Sequence, residues 1–184
     1  MSLDLVIGPM WAGKSSHVLS RIRRYKAIGW NVLVITHSND NRYGEEIISN
    51  HDHDTLSAMA VDELMKLKES LEYSKAQLIV IEEAQFFKDL FTFVTLAVDI
   101  DGKHILCSGL DGDSERRPFG DLLRLIPFCD KVEKIKSLCI ECKDGTPALF
   151  SHRLDLCKEQ IAVGAMDNYL PLCRKHYVEK KMLR

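Results

Sequence analysis

The sequence predicts an α/β fold: a parallel sheet covered by helices, with a small appendage at its C-terminal end. Two observations carry that expectation. Short, near-continuous apolar runs alternate with amphipathic stretches up to Lys136, the pattern of strands buried on both faces. From Ser137 onward the texture changes to short cysteine-bearing segments with little periodicity. A boundary there divides the chain into an α/β domain over residues 1–136 and a smaller domain over 137–184.

The elements follow in order. Leu3 to Ile7 is a short buried strand stopped by Gly8-Pro9. Residues 13–28 form a helix with Val18, Leu19, Ile22 and Tyr25 on one side, Arg21, Arg23 and Arg24 on the other, and Gly29 as the stop. Asn31 to Thr36 is the second strand. Residues 37–57 are polar and irregular, a loop longer than packing requires. Residues 61–72 read as a surface helix. Leu78 to Ile81 is a buried strand ending in Glu82-Glu83. Residues 87–100 read as helix, His104 to Ser108 as strand, 120–126 as a short helix and Lys131 to Lys136 as a last, weaker strand.

Composition narrows the function. The chain has 184 residues, 46% hydrophobic and 28% charged, which suits a globular protein and excludes a disordered one. Lys+Arg 25 against Asp+Glu 27 leaves a net charge of −2, so no overall field favours nucleic acid or an anionic membrane. The N-terminus lacks the basic flank and apolar core of a signal peptide. No apolar run approaches the roughly 18 residues of a spanning helix. The expectation is a cytoplasmic protein without nucleic-acid or membrane partners. Its six cysteines then read as metal ligands or buried thiols.

Three constellations carry chemistry. Gly8-Pro9-Met10-Trp11-Ala12-Gly13-Lys14-Ser15 satisfies G-x-x-x-x-G-K-[ST], directly after a strand and opening a helix. The glycines let backbone N–H groups curl round a phosphate, Lys14 reaches the β/γ-phosphates, and Ser15 offers an oxygen to Mg²⁺. The sheet is therefore P-loop NTPase-like. Glu82-Glu83 end a buried strand, where ligands of open parallel sheets gather. Consecutive strand residues point opposite ways, so one acid can face Mg²⁺, as a Walker-B acid does, while the other accepts a proton. Cys139-x-x-Cys142 and Cys173-x-x-His176 make a closed, tetrahedral and hence structural Zn²⁺ site. Cys107 and Cys129 read as core filler. His17, His37, His51, His53, His104 and His152 read as surface or loop residues.

Taken together these residues resemble the type II thymidine kinases, the cytosolic, bacterial and poxvirus-type family, from Leu5 to Tyr177. Besides the P-loop, the carriers are Ser38-Asn39-Asp40-Asn41-Arg42-Tyr43, Glu82-Glu83-Ala84-Gln85-Phe86-Phe87, Gly109-Leu110-Asp111-Gly112 and Arg116-Arg117-Pro118-Phe119-Gly120. Ser151-His152-Arg153-Leu154, Gly164-Ala165-Met166-Asp167-Asn168-Tyr169 and Cys173-Arg174-Lys175-His176-Tyr177 complete them. The resemblance implies transfer of the ATP γ-phosphoryl group to the 5′-hydroxyl of thymidine, with deoxyuridine as a neighbouring acceptor, in pyrimidine salvage for DNA synthesis.

By matched position it makes Glu83 the general base and puts Asp40, Asn41 and Arg42 by the phosphates, with Arg42 offsetting developing charge. Glu82 and Gln85 flank the nucleotide. Met10, Phe86, Leu110, Ser114, Phe119 and Ser151 line the base pocket. Gln160, Ile161, Ala162, Val163, Gly164 and Tyr169 form a lasso over the nucleoside. The family also implies a homotetramer and feedback inhibition by thymidine triphosphate. Two departures stand out. Glu82 occupies a position that is usually Asp, and Asp113-Ser114-Glu115 replace the usual Thr-Phe-Gln, exchanging an aromatic wall for a hydroxyl beside two acids. The departures keep a second reading open, a catalytically weak nucleotide-binding regulator of the same fold.

Overall fold

The computed structural model describes residues 1–38, 47–49, 55–154 and 168–182, with backbone alone at 47–49 and 55–56. Strand β1 (Ser2–Ile7) leads through the glycine-rich loop into helix α1 (Lys14–Ala27) and strand β2 (Val32–His37). A short antiparallel pair follows, β3 (Ile47–Ser49) with β4 (Thr55–Ser57), and then β5 (Met59–Val61). Helix α2 (Leu71–Lys75), strand β6 (Leu78–Ile81), helix α3 (Leu90–Thr95), strand β7 (His104–Gly109) and strand β8 (Lys131–Lys134) complete the α/β part. Six of these strands form one sheet in the order β5-β2-β6-β7-β1-β8, every neighbouring pair parallel.

Alternation along the strands sends residues to two separate cores. Leu5, Ile35, Ile79, Ile81 and Ile105 face α3, Leu64 and Tyr73. Val6, Val34, Val80 and Leu106 face Val18, Leu19 and Ile22 of α1. Each fully buried Leu, Ile or Val contributes roughly 1.5–3 kcal/mol, so the sheet is stabilised from both sides. Helix α1 ends as expected: Gly29 adopts φ +83°, and the amides of Gly29 and Trp30 bond back to the carbonyls of Lys26 and Tyr25.

Three helical expectations are corrected. Residues 61–72 are not one helix. Val61 closes β5, Met65–Glu69 form a 3₁₀ turn, and α2 starts after Ser70. Ser70 is extended (φ −81°, ψ 154°) and its hydroxyl accepts from the Tyr73 amide, so an N-cap wins over continuous helix. The helix expected from residue 87 starts at Leu90, because Phe87 is extended after the 3₁₀ turn Ala84–Phe86. It continues through Leu96–Ile100 as a π-helical turn. Leu122–Phe128 is 3₁₀ rather than α, with Pro127 inside it, where an α-helix would lack an N–H donor.

Beyond β8 lie small antiparallel pairs: β9 (Ser137–Leu138) with β10 (Pro147–Ala148), and β11 (Phe150–Arg153) with β12 (Tyr169–Leu172). Helix α4 (Arg174–Met182) follows. Their core is a third cluster, Cys139, Ala148, Leu172, Cys173 and Tyr177. Among the described residues no helix is long and apolar enough to cross a membrane.

Candidate active site and metal centre

The loop after β1 curls because two of its residues are left-handed, Trp11 (φ +64°) and Gly13 (φ +78°). Gly8 must lack a side chain, since a Cβ there would stand 2.4 Å from the carbonyl oxygen of Ile135. Lys14 Nζ donates to the carbonyls of Gly8 (3.3 Å) and Pro9 (2.9 Å), which holds its charge inside the loop. The Met10 amide donates to Ser151 Oγ at 2.9 Å, tying the loop to β11. Ser15 stands half-buried in the first turn of α1.

The acid pair leaves β6 on the same edge of the sheet. Ile7 of β1 lies opposite Gly109 of β7, and Cys107 opposite Ile81 of β6. One strand therefore separates the P-loop from the acids. At about 4.8 Å per strand, the two loops rise roughly 10 Å apart. Glu82 (3% exposed) and Glu83 (9%) are both buried. Glu83 is left-handed (φ 49°, ψ 39°), which breaks the strand at the acid itself.

Gln85 fixes Glu83. Its Nε2 donates to Glu83 Oε2 at 2.5 Å, and its Oε1 accepts from the Leu110 amide at 3.0 Å. The amide orientation follows from the partners: a backbone N–H can only donate and a carboxylate only accept. Two glycines make room for it. A Cβ at Gly109 would meet Gln85 Oε1 at 2.3 Å, and one at Gly120 would meet the Gln85 carbonyl oxygen at 2.2 Å. Sequence reasoning missed both glycines, because their need is a contact between distant segments. Gly120 also adopts φ +58°. Gly120→Ala is expected to cost about 1–3 kcal/mol, lowering Tm by roughly 2–12 °C. Gly102→Ala (φ +67°, nothing within 4 Å) separates backbone strain from the clash. Equal Tm losses in the two variants would remove the clash from the account.

Around the acids, the Phe86 and Phe119 rings meet edge to face with centroids 5.6 Å apart. Phe119 and Ser151 are buried, while Met10, Phe86, Leu110 and Tyr169 are half-buried. Asp40, Asn41, Arg42 and the segment Gln160, Ile161, Ala162, Val163 and Gly164 lie outside the described residues. His37 and His152, expected on the surface, are buried. His37 packs on Phe87 and Phe86 (4.8 and 5.9 Å between ring centroids), and His152 packs against Tyr177. The apolar flanks of imidazole fill those sites.

Asp113 and Glu115 turn to protein partners. Asp113 Oδ1 accepts from the amides of Glu115 and Arg117, and its Oδ2 accepts from Arg117 Nε at 2.7 Å. Glu115 pairs with Lys181 of α4. Ser114 is half-buried, and its carbonyl accepts from the Tyr177 hydroxyl at 2.6 Å.

The four predicted metal ligands converge. The ligand atoms of Cys139, Cys142, Cys173 and His176 lie within 4.8 Å of one another. His176 Nδ1 is 3.5, 3.3 and 3.4 Å from the three sulfurs, and Sγ of Cys142 is 3.8 Å from that of Cys173. Tetrahedral Zn²⁺ with bonds of about 2.3 Å to sulfur and 2.0 Å to nitrogen needs edges of roughly 3.8 and 3.5 Å, so the cluster fits zinc. Burial pushes the Cys139 thiol up, but the amides of Cys173, Cys142 and Glu141 and the His176 ring outweigh it and hold the thiol at about 6. Burial and the neighbouring sulfurs push Cys142 up to about 11. One thiolate would thus be ready to receive a metal ion, and binding would displace the remaining thiol protons.

A parallel sheet with a P-loop on its carboxyl edge and an acid pair beside it defines a P-loop nucleotide-binding enzyme. The family model for thymidine kinase matches residues 1–177. Thymidine kinase a of Arabidopsis thaliana is 37% identical over 180 residues, which cover 96% of this chain and 75% of that one. Thymidine kinase of Oryza sativa subsp. japonica is 37% identical over 185 residues, 98% of this chain and 68% of that one. Thymidine kinase of Monkeypox virus is 36% identical over 177 residues, 96% of this chain and 97% of that one. The chain belongs to the thymidine kinase family, and thymidine kinase activity, an ATP-dependent phosphotransfer, comes with that membership.

Proposed function

We propose that the protein moves the γ-phosphoryl group of ATP to the 5′-hydroxyl of thymidine with Glu83 as general base. The observation that carries this reading is the Gln85 clamp, which holds a buried carboxylate two strand positions from the P-loop. A sugar hydroxyl between them would meet a proton acceptor on one side and a phosphate on the other. The loose transition state asks mainly for alignment and charge neutralisation. The P-loop amides align the phosphates, and Lys14 and Arg42 supply positive charge, with Asp40 and Asn41 beside them. Ser15 and Glu82 offer hard oxygen ligands that would hold Mg²⁺, which would supply charge neutralisation at the phosphates.

Met10, Phe86, Leu110, Ser114, Phe119 and Ser151 wall the base. Gln160 to Gly164 and Tyr169 close over it as a lasso in the domain 137–184. The partners found by Asp113 and Glu115 keep those acids from the pocket and favour thymidine as acceptor. We also read the protein as a cytoplasmic homotetramer under feedback by thymidine triphosphate. Among the described residues no cysteine is in a disulfide, which suits that compartment.

The test offers ATP with Mg²⁺ to thymidine, deoxyuridine and deoxycytidine in parallel and reads the monophosphates. Thymidine monophosphate is expected to dominate. The absence of any product would leave the regulator reading, which the longer acid at Glu82 favours.

A further inference from the structure

We propose that Tyr177 is a positioning residue that couples the metal centre to the acceptor side of the active site. The inference rests on the reading of Leu110 and Phe119 as walls of the nucleoside pocket. Both ends of the loop between them are set by the catalytic edge: the Leu110 amide donates to Gln85, and the Phe119 ring meets Phe86 edge to face. Its middle is set from elsewhere. The Tyr177 hydroxyl donates to the Ser114 carbonyl at 2.6 Å, and Lys181 pairs with Glu115. The Arg116 guanidinium lies over the Tyr177 ring at 4.8 Å. These ties all run to α4.

Tyr177 is suited to transmit position. It is 1% exposed, it follows His176 directly, and its amide bonds to the Cys173 carbonyl at 3.0 Å. Its phenol therefore stands at a height fixed by two metal ligands. The paired acids contribute less, because Lys181 and Glu115 are 43% and 46% exposed and an exposed pair is screened. The loop receives its register chiefly through one buried hydroxyl. The P-loop is tied to β11 by a different contact, the Met10 amide on Ser151, which does not run through the Tyr177 hydroxyl.

The experiment is Tyr177→Phe in the zinc-loaded protein, which removes one oxygen and keeps the ring. The KM for thymidine is expected to rise about tenfold, the scale of one lost hydrogen bond from a buried hydroxyl, while the KM for ATP and kcat stay within about twofold. Zinc content stays at wild-type level, and amide exchange of Ser114 to Arg117 accelerates. An unchanged thymidine KM with slow exchange overturns the proposal. So does loss of zinc or a parallel rise of both KM values, since the residue would then only hold the fold. If the wild-type protein fails to phosphorylate thymidine, the functional reading falls, and the exchange measurement still decides the coupling.

Discussion

Glu83→Gln is expected to lower kcat for thymidine phosphorylation by about 10²–10⁴-fold, the usual contribution of a general base, while ATP affinity stays within about threefold. The substitution is close to isosteric. The new amide oxygen can still accept from Gln85 Nε2, so the clamp survives and only the proton acceptor is lost. The left-handed backbone at this position is also tolerable for glutamine, with a small added cost. Gln85→Ala provides the contrast. It leaves the acid in place but frees it from Leu110, so thymidine turnover falls with the carboxylate still present. Product formation by Glu83→Gln at the wild-type rate would remove Glu83 from the chemistry.

Cys139→Ser is expected to release the zinc and loosen everything after Lys136 while the six-stranded sheet persists. Structural zinc contributes roughly 10–16 kcal/mol to folding in small zinc domains, and a hydroxyl is a poor replacement for one thiolate of three. The segment has little else to hold it. Among the described residues its buried cluster consists of five side chains, two of them metal ligands, and strands of two to four residues are not stable alone. The cores on the two faces of the sheet include no metal ligand. Metal analysis should show zinc lost, and trypsin should cut after Arg153, now only 3% exposed. Thymidine turnover should fall too, since Ser151 would no longer hold the Met10 amide. Retained zinc with an unchanged digestion pattern would contradict this account.

How much was legible in the chain follows from the range of each signal. The P-loop, the buried strands and the Cys139-x-x-Cys142 and Cys173-x-x-His176 pairs were readable because each is a local pattern whose chemistry or burial demands those residues at that spacing. The pairing of those two knuckles into one site was also within reach, since zinc needs four ligands and each knuckle offers two at the right spacing. The helix expected at 61–72 went astray where two local preferences competed: the apolar period favoured one helix, and the Ser70 cap with the pairing of β5 on β2 favoured a break.

Tertiary structure alone decided what the functional side chains touch. The sequence could nominate Glu83. That it is clamped by Gln85, in space kept open by Gly109 and Gly120, depends on segments brought side by side from three parts of the chain. Asp113 stood in the sequence beside Ser114, the expected pocket residue, and only folding commits its carboxylate to Arg117. Hydrogen bonds reach only about 3 Å, so partners far apart in the chain are set by how the layers pack. The chain by itself dictated the chemistry it carries, and the packing of the sheet and α4 decided which atoms are aimed at it.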